Sequence, residues 1–144
     1  MQKKLPKVYL FIEDFIPSEL DHLNKNISII FRNYKKTISD DQLFALKTYC
    51  KSHKKDLYLA NDIKRALKYK LSGVYIPSFN KKLNLNVSSL PKNFILLGSA
   101  HNYQQISIKE AQGCSLIFLA PTFKVIKKKN YFGVTRFNLL TLNQ

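Results

Sequence analysis

The sequence predicts an α/β fold built as a parallel (β/α) repeat, and three observations predict it. Six short apolar runs begin near residues 8, 27, 57, 74, 94 and 116. They recur every twenty to thirty residues or so, the length of a βα unit, with helical patterns between them. Each run is almost wholly apolar and lacks in–out alternation, as in strands covered on both faces. Residues 1–144 therefore read as a single domain. Its architecture is an incomplete TIM-barrel-like fold with about six strands, lacking the last two βα units of a closed (β/α)8 barrel. An open doubly wound sheet is the alternative.

The elements follow in order. Val8 to Ile12 is the first strand run and stops at Glu13-Asp14; Pro17 and Ser18 open a short helix carrying Leu20 and Leu23. Ile27 to Phe31 is the second strand run, ending at Arg32-Asn33-Tyr34. Ser39 is a suitable helix N-cap, with Asp40 and Asp41 at the positive end of the helix dipole. Leu43, Leu46 and Cys50 then repeat at helical spacing, and Lys51 to Lys55 close the segment. Leu57 to Ala60 is the third strand run, with Asn61 expected to cap the next helix through its side-chain oxygen. Ile63, Ala66, Leu67 and Leu71 mark that helix's buried face. Val74 to Ile76 is the fourth run, followed by Pro77-Ser78-Phe79-Asn80. Residues 81–91 are polar and break any clear helix, so a loop or one irregular turn is expected. Phe94 to Leu97 and Leu116 to Ala120 are the last two runs, joined by a polar helix that His101 is expected to start and Gly113 to end. A basic loop, 124–129, and the start of a further helix over 137–142 complete the chain.

Composition narrows the function classes. Lys and Arg number 24 against 9 Asp and Glu, a formal charge of +15. Clustered cations neutralise phosphates. Yet only Arg32, Arg65 and Arg136 are arginines, and the aromatic residues fall inside the apolar runs rather than between cations. Readers of nucleic acid interleave arginine with stacking aromatics, so the charge argues for a phosphorylated small molecule and against nucleic acid. No run approaches the length of a bilayer span, and the basic start lacks a signal-peptide core. A cytoplasmic protein without membrane contact is expected. Cys50 and Cys114 are isolated and read as buried hydrophobes in a reducing compartment.

Small and polar residues stand just past the strand runs, where α/β folds place ligands. Leu57-Tyr58-Leu59-Ala60-Asn61-Asp62 resembles the "I-N-D" strand of the thiamine phosphate synthase/TenI family. Gly73-Val74-Tyr75-Ile76-Pro77 is similar to its "G-V-H-L" strand. Gly98-Ser99-Ala100-His101, Gly113, Ala120-Pro121-Thr122-Phe123, Lys128 and Gly133 are similar to its "G-x-S-x-H…A…G-A-D-Y…G-P-x-F…K…G" run. The resemblance covers roughly residues 8 to 140.

That resemblance implies a (β/α)8-type fold and a role in thiamine biosynthesis. The family's two activities are joining a pyrimidine diphosphate to a thiazole phosphate with Mg²⁺, and aromatising the thiazole phosphate by proton transfer. It implies roles for single residues. Arg32, Asn61 and Lys128 would bind substrate phosphate, and Asp62 would hold Mg²⁺. Ser99 and His101 would be catalytic, His101 as the acid/base group. The chemistry suits these types: cations and a metal stabilise a departing diphosphate, and histidine titrates near neutral pH. The chain departs from the pattern at Ile30 and Tyr34, which flank Arg32. It departs again at Tyr75, and at Asn80, where a second metal-binding aspartate is expected. A non-catalytic relative that binds phosphate ligands is the alternative, and a basic nucleic-acid-binding domain ranks below both. Each candidate also has a plain structural reading: Asn61 as a cap, Asp62 on the helix dipole, Arg32 and His101 as solvated groups. An unfinished barrel leaves strand edges to cover, so a homodimer or a complementing fragment is the expected partner.

Overall fold

The structure is a computed structural model describing residues 8–119. Lys128, Gly133, the 124–129 loop and the segment 137–142 lie outside the described residues. The strands are β1 (Val8–Ile12), β2 (Ile27–Phe31), β3 (Leu57–Ala60), β4 (Gly73–Ile76), β5 (Ile95–Ala100) and β6 (Leu116–Leu119). The helices are α1 (Pro17–Leu20), α2 (Asp40–Ser52), α3 (Ile63–Lys68) and α4 (Tyr103–Gln112), with one 3-10 turn at Val87–Ser89. Strand order follows chain order, β1-β2-β3-β4-β5-β6. The fold class is thus the expected one, a parallel (β/α) repeat with TIM-barrel-like winding. The chain forms two compact units divided between Gly73 and Val74.

In the first unit β1 and β2 pair in parallel from Val8↔Ile27 to Ile12↔Phe31, and β2 pairs β3 from Ile29↔Leu57 to Phe31↔Leu59. Ser28 to Phe31 are all buried, as a two-sided strand requires. β1 departs from the expectation. Val8 is 46 % exposed and the rest of the strand is only half-buried; β1 lies at one end of the strand order.

Helix α2 forms where the sequence predicts. The Ser39 hydroxyl accepts from the Gln42 N–H at 3.2 Å, and Asp40 and Asp41 fill the first turn. Leu43, Leu46 and Cys50 are fully buried on one face; each buried leucine contributes about 2 kcal/mol. Burial pushes the Cys50 thiol up to about 12. The chain leaves α2 through Lys54 and α3 through Lys70, both left-handed at φ 54°. The cap of α3 falls one residue later than expected. Asn61 is itself left-handed, φ 58°, a conformation asparagine tolerates. The cap is Asp62, which accepts from the Arg65 N–H at 3.1 Å.

β4, whose Gly73 closes the first unit, is buried throughout, and in the second unit β5 pairs β6 in parallel from Leu97↔Leu116 to Ala100↔Leu119. The excursion from Pro77 to Phe94 contains no α-helix, only the Val87–Ser89 turn. Helix α4 begins at Tyr103, capped by Asn102, not at His101. The Asn102 side chain accepts from the Gln105 N–H at 2.9 Å. It ends at Gly113, φ 94°, where glycine fits the left-handed cap. The buried residues of α4 are Ile106, Lys109 and Gln112, so its inward face is mostly polar. Gly98 on β5 makes room for it. A Cβ there would lie 2.6 Å from Lys109 Cδ and 2.9 Å from Cys114 Sγ. No helix among the described residues is long and apolar enough to cross a membrane.

Candidate ligand-binding site

The first unit has a cavity of about 180 Å³ at the C-terminal ends of β2 and β3. It has room for several waters or one phosphate-sized group. Phe31, Ile38, Leu59 and Ala60 form its apolar side, and Asn61, Asp62 and Arg65 its polar side; Asn33, Tyr34 and Thr37 complete the wall. The position follows from the fold, since loops at strand C-termini carry the ligand sites of α/β barrels.

Two predicted residues, Asn61 and Asp62, line this cavity. The left-handed turn at Asn61 brings both to the wall as the chain passes from β3 into α3. Asp62 serves twice, as the α3 cap and as a carboxylate on the cavity surface. Arg32 stands at the same end of β2. Its N–H donates to the Ile12 carbonyl at 2.8 Å and extends the β1–β2 ladder. Arg32 follows the last residue of β2 and does not itself line the cavity. Its guanidinium carbon lies 4.3 Å from the Phe11 ring centroid and 6.0 Å from that of Tyr34, a cation–π arrangement.

Sequence reasoning passed over Arg65. This residue donates from Nε (3.2 Å) and Nη2 (2.8 Å) to Asp40 Oδ1, and from Nη2 to the Ile38 carbonyl at 2.8 Å. It thereby ties the start of α2 to the start of α3 at the cavity wall. The Arg65 hydrogen bonds hold the Asp40 carboxyl below its usual range. The available signal was its rarity, one of three arginines, three residues past Asp62. Asn33, also unremarked, fixes the β2–α2 loop: its Oδ1 accepts from the Lys35 and Lys36 N–H groups at 2.9 and 3.0 Å.

Mg²⁺ has a narrow fit here. Asp62 is the one carboxylate on the cavity wall, and Asn61 adds an amide oxygen. Among the described residues no group of three His, Cys, Asp or Glu side chains could hold a metal. Mg²⁺ commonly takes one or two carboxylates and completes its shell with substrate phosphates and water. Asp62 and Asn61 suit that role only together with a phosphate ligand.

The second unit holds the other predicted pair at the end of β5. Ser99 is buried, and its Oγ accepts from the Ser78 N–H at 3.1 Å. His101 is exposed, and its N–H donates to Gln105 Oε1 at 2.7 Å. Asn80, at the position of the second expected aspartate, turns its Oδ1 to the Lys82 N–H at 3.0 Å. Lys128 lies outside the described residues.

No protein-family profile and no curated protein sequence matches the chain. Among solved structures the fold is similar to a thiamine phosphate pyrophosphorylase from Pyrococcus furiosus, with a TM-score of 0.54 and 14 % identity. The match covers 67 % of this chain and 48 % of that one, so this chain matches about half that protein's length. At this identity the likeness is one of fold.

Proposed function

We propose that the chain is a thiamine phosphate synthase/TenI-like protein that binds a phosphorylated small molecule, a thiazole phosphate or a pyrimidine diphosphate, at the C-terminal ends of its strands. The observation that carries the reading is the cavity at the ends of β2 and β3, whose polar wall includes Asn61 and Asp62. The likeness of the fold to a phosphate-handling enzyme supports it. Phosphate oxygens would accept from the Asn61 amide and from Arg32, which reaches the ligand by leaving the Phe11 ring. Charge-assisted hydrogen bonds of this kind contribute about 1.5–3 kcal/mol each. Asp62 would hold Mg²⁺, whose charge would offset the carboxylate's repulsion of an anion.

Binding is favoured over catalysis because Asp62 and Ser99 are each engaged in a local hydrogen bond. The catalytic reading rests on His101, an exposed imidazole just past β5 that the family resemblance makes the acid/base group.

Calorimetry with thiazole phosphate and with thiamine phosphate tests binding. Arg32→Gln and Asn61→Ala are each expected to weaken it by about ten- to hundredfold. No heat at millimolar ligand, with or without Mg²⁺, removes the reading. Thiamine phosphate formation and thiazole tautomerisation test catalysis. Rates at the uncatalysed background, unchanged by His101→Ala, leave the protein a binder.

A further inference from the structure

The β4–β5 excursion is secured by a buried lysine. Lys109 and Gln112, three apart on α4, are both 0 % exposed. Lys109 Nζ donates to the Asn80 carbonyl at 2.9 Å and to Gln112 Oε1 at 2.8 Å. Gln112 Nε2 donates to the Asn80 carbonyl at 2.8 Å and to the Lys82 carbonyl at 2.9 Å. Every oxygen in this set is neutral. The sole carboxylate among described residues 74–119 is Glu110, on an exposed position of α4. A buried ammonium without a carboxylate partner is costly, and burial lowers the Lys109 pKa. The arrangement persists because it satisfies loop carbonyls that otherwise lack a helix to serve them. The βα pattern would place a helix between β4 and β5; this chain has one 3-10 turn there. Val87 of that turn rests against Gly113, at the end of α4.

We propose that Lys109 and Gln112 are positioning residues that preset the turn Pro77–Asn80 at the C-terminal end of β4, a strand end of the second unit at which a ligand is taken. Two anchors define that turn. Ser99 holds it at the Ser78 N–H, and the Lys109–Gln112 pair holds it at the Asn80 carbonyl. The inference rests on the reading that ligands are taken at strand C-termini. A contrast inside the molecule gives it direction. Lys55 is also buried and donates to the Asn24 carbonyl. But Asn24 precedes β2 and Lys55 precedes β3, the end at which barrels place stability rather than chemistry. Lys109 holds the residues that follow a strand.

The test is amide exchange by mass spectrometry or NMR, with inorganic diphosphate as the calorimetric probe. The amides of Asn80 and Lys82 donate to the Pro77 carbonyl and to Asn80 Oδ1; in the wild type they are expected to exchange at least about tenfold more slowly than in Lys109→Met, because the clamp on the neighbouring carbonyls holds the turn in which those bonds form. Equal rates in the two proteins overturn the proposal. Lys109→Met is expected to erase that protection, to leave β5 and β6 protected, and to weaken diphosphate binding about tenfold. Lys55→Met is expected to lower the melting temperature with diphosphate affinity unchanged. A merely structural lysine at 109 would behave as Lys55 does, and that result overturns the proposal. Should Lys109→Met not fold, Gly98→Ala displaces the same side chain with its charge intact and is read in the same way. If the wild type binds no diphosphate, the proposed function fails, and the exchange pattern alone decides whether the clamp exists.

Discussion

The two units secure loops with the same device, a cation donating to a backbone carbonyl, and differ in where the charge is left. In the first unit Arg65 donates to the Ile38 carbonyl and keeps Asp40 as counter-charge, at a surface where Asp40 is 59 % exposed. In the second unit Lys109 donates to the Asn80 carbonyl, sealed from water and among neutral oxygens. Solvent and the nearby carboxylate make the first arrangement cheap and weak. Burial makes the second stringent, because each group removed leaves another unsatisfied. The β2 and β3 ends stay open as a cavity, whereas the described polar groups past β4 are largely engaged with one another.

Four substitutions press on this comparison. The largest effect is expected at Gly98→Leu, which drives a side chain into Lys109 and Cys114. Overpacking of this kind costs about 3 kcal/mol, measured as a lower urea midpoint at unchanged m-value.

Next is Lys109→Met, at about 2 kcal/mol for a buried Gln112 Oε1 left without its donor and an Asn80 carbonyl left with one donor of two. Its pH dependence separates it from ordinary packing loss. The folded pKa of Lys109 lies below the ordinary lysine value, so between the two values the unfolded chain binds more protons. Wild-type stability therefore gains from this group as pH rises through that window and loses the gain as pH falls through the folded pKa. The variant is expected to lack that rise in a urea series at alkaline pH. An identical slope in both proteins would mean that Lys109 is not the titrating group.

Asp62→Ala removes the α3 cap and is expected to cost about 1 kcal/mol. It should also abolish any Mg²⁺ dependence of ligand binding, which calorimetry reads independently of stability.

The smallest effect is expected at Arg65→Gln, below about 1 kcal/mol for a surface pair. Its mark is the acid limb. Asp40 is held below its usual range by Arg65, so the pair contributes above the ordinary carboxylate pKa and is lost as pH falls through the folded value. The variant should lose this part of the acid dependence. A loss comparable to that of Lys109→Met would erase the distinction between the units.

Much of the fold was legible in the sequence, because its signals are local. VYLFI, ISIIF and LYLA are strands where the apolar runs place them, and Ser39 caps α2 as its type and its following aspartates imply. The misreadings have physical reasons. The all-apolar β1 looks like a central strand, and only the pairing order reveals its end position. Asn61 and Asp62 are both good caps, and the choice turned on which of them took a left-handed backbone. Of the site, Asn61 and Asp62 were found at a cavity because they follow a strand. Lys109 and Gln112 were invisible, since a lysine and a glutamine in YQQISIKEAQ read as a solvated face. Only the space beside Gly98 and the carbonyls of a helix-less loop make them interior.

The left-handed residues after α2 and α3 bear on how much more stable this chain could become. The protein has only four glycines, and the left-handed positions after these helices are filled by Lys54 and Lys70. A non-glycine residue there carries strain of about 1 kcal/mol. The composition, rich in lysine, asparagine and isoleucine, is that of AT-rich coding, in which glycine codons are scarce. The strain at these helix ends accords with that scarcity of glycine. It leaves a reserve that directed evolution can draw on without touching the core, the cavity or the buried lysine.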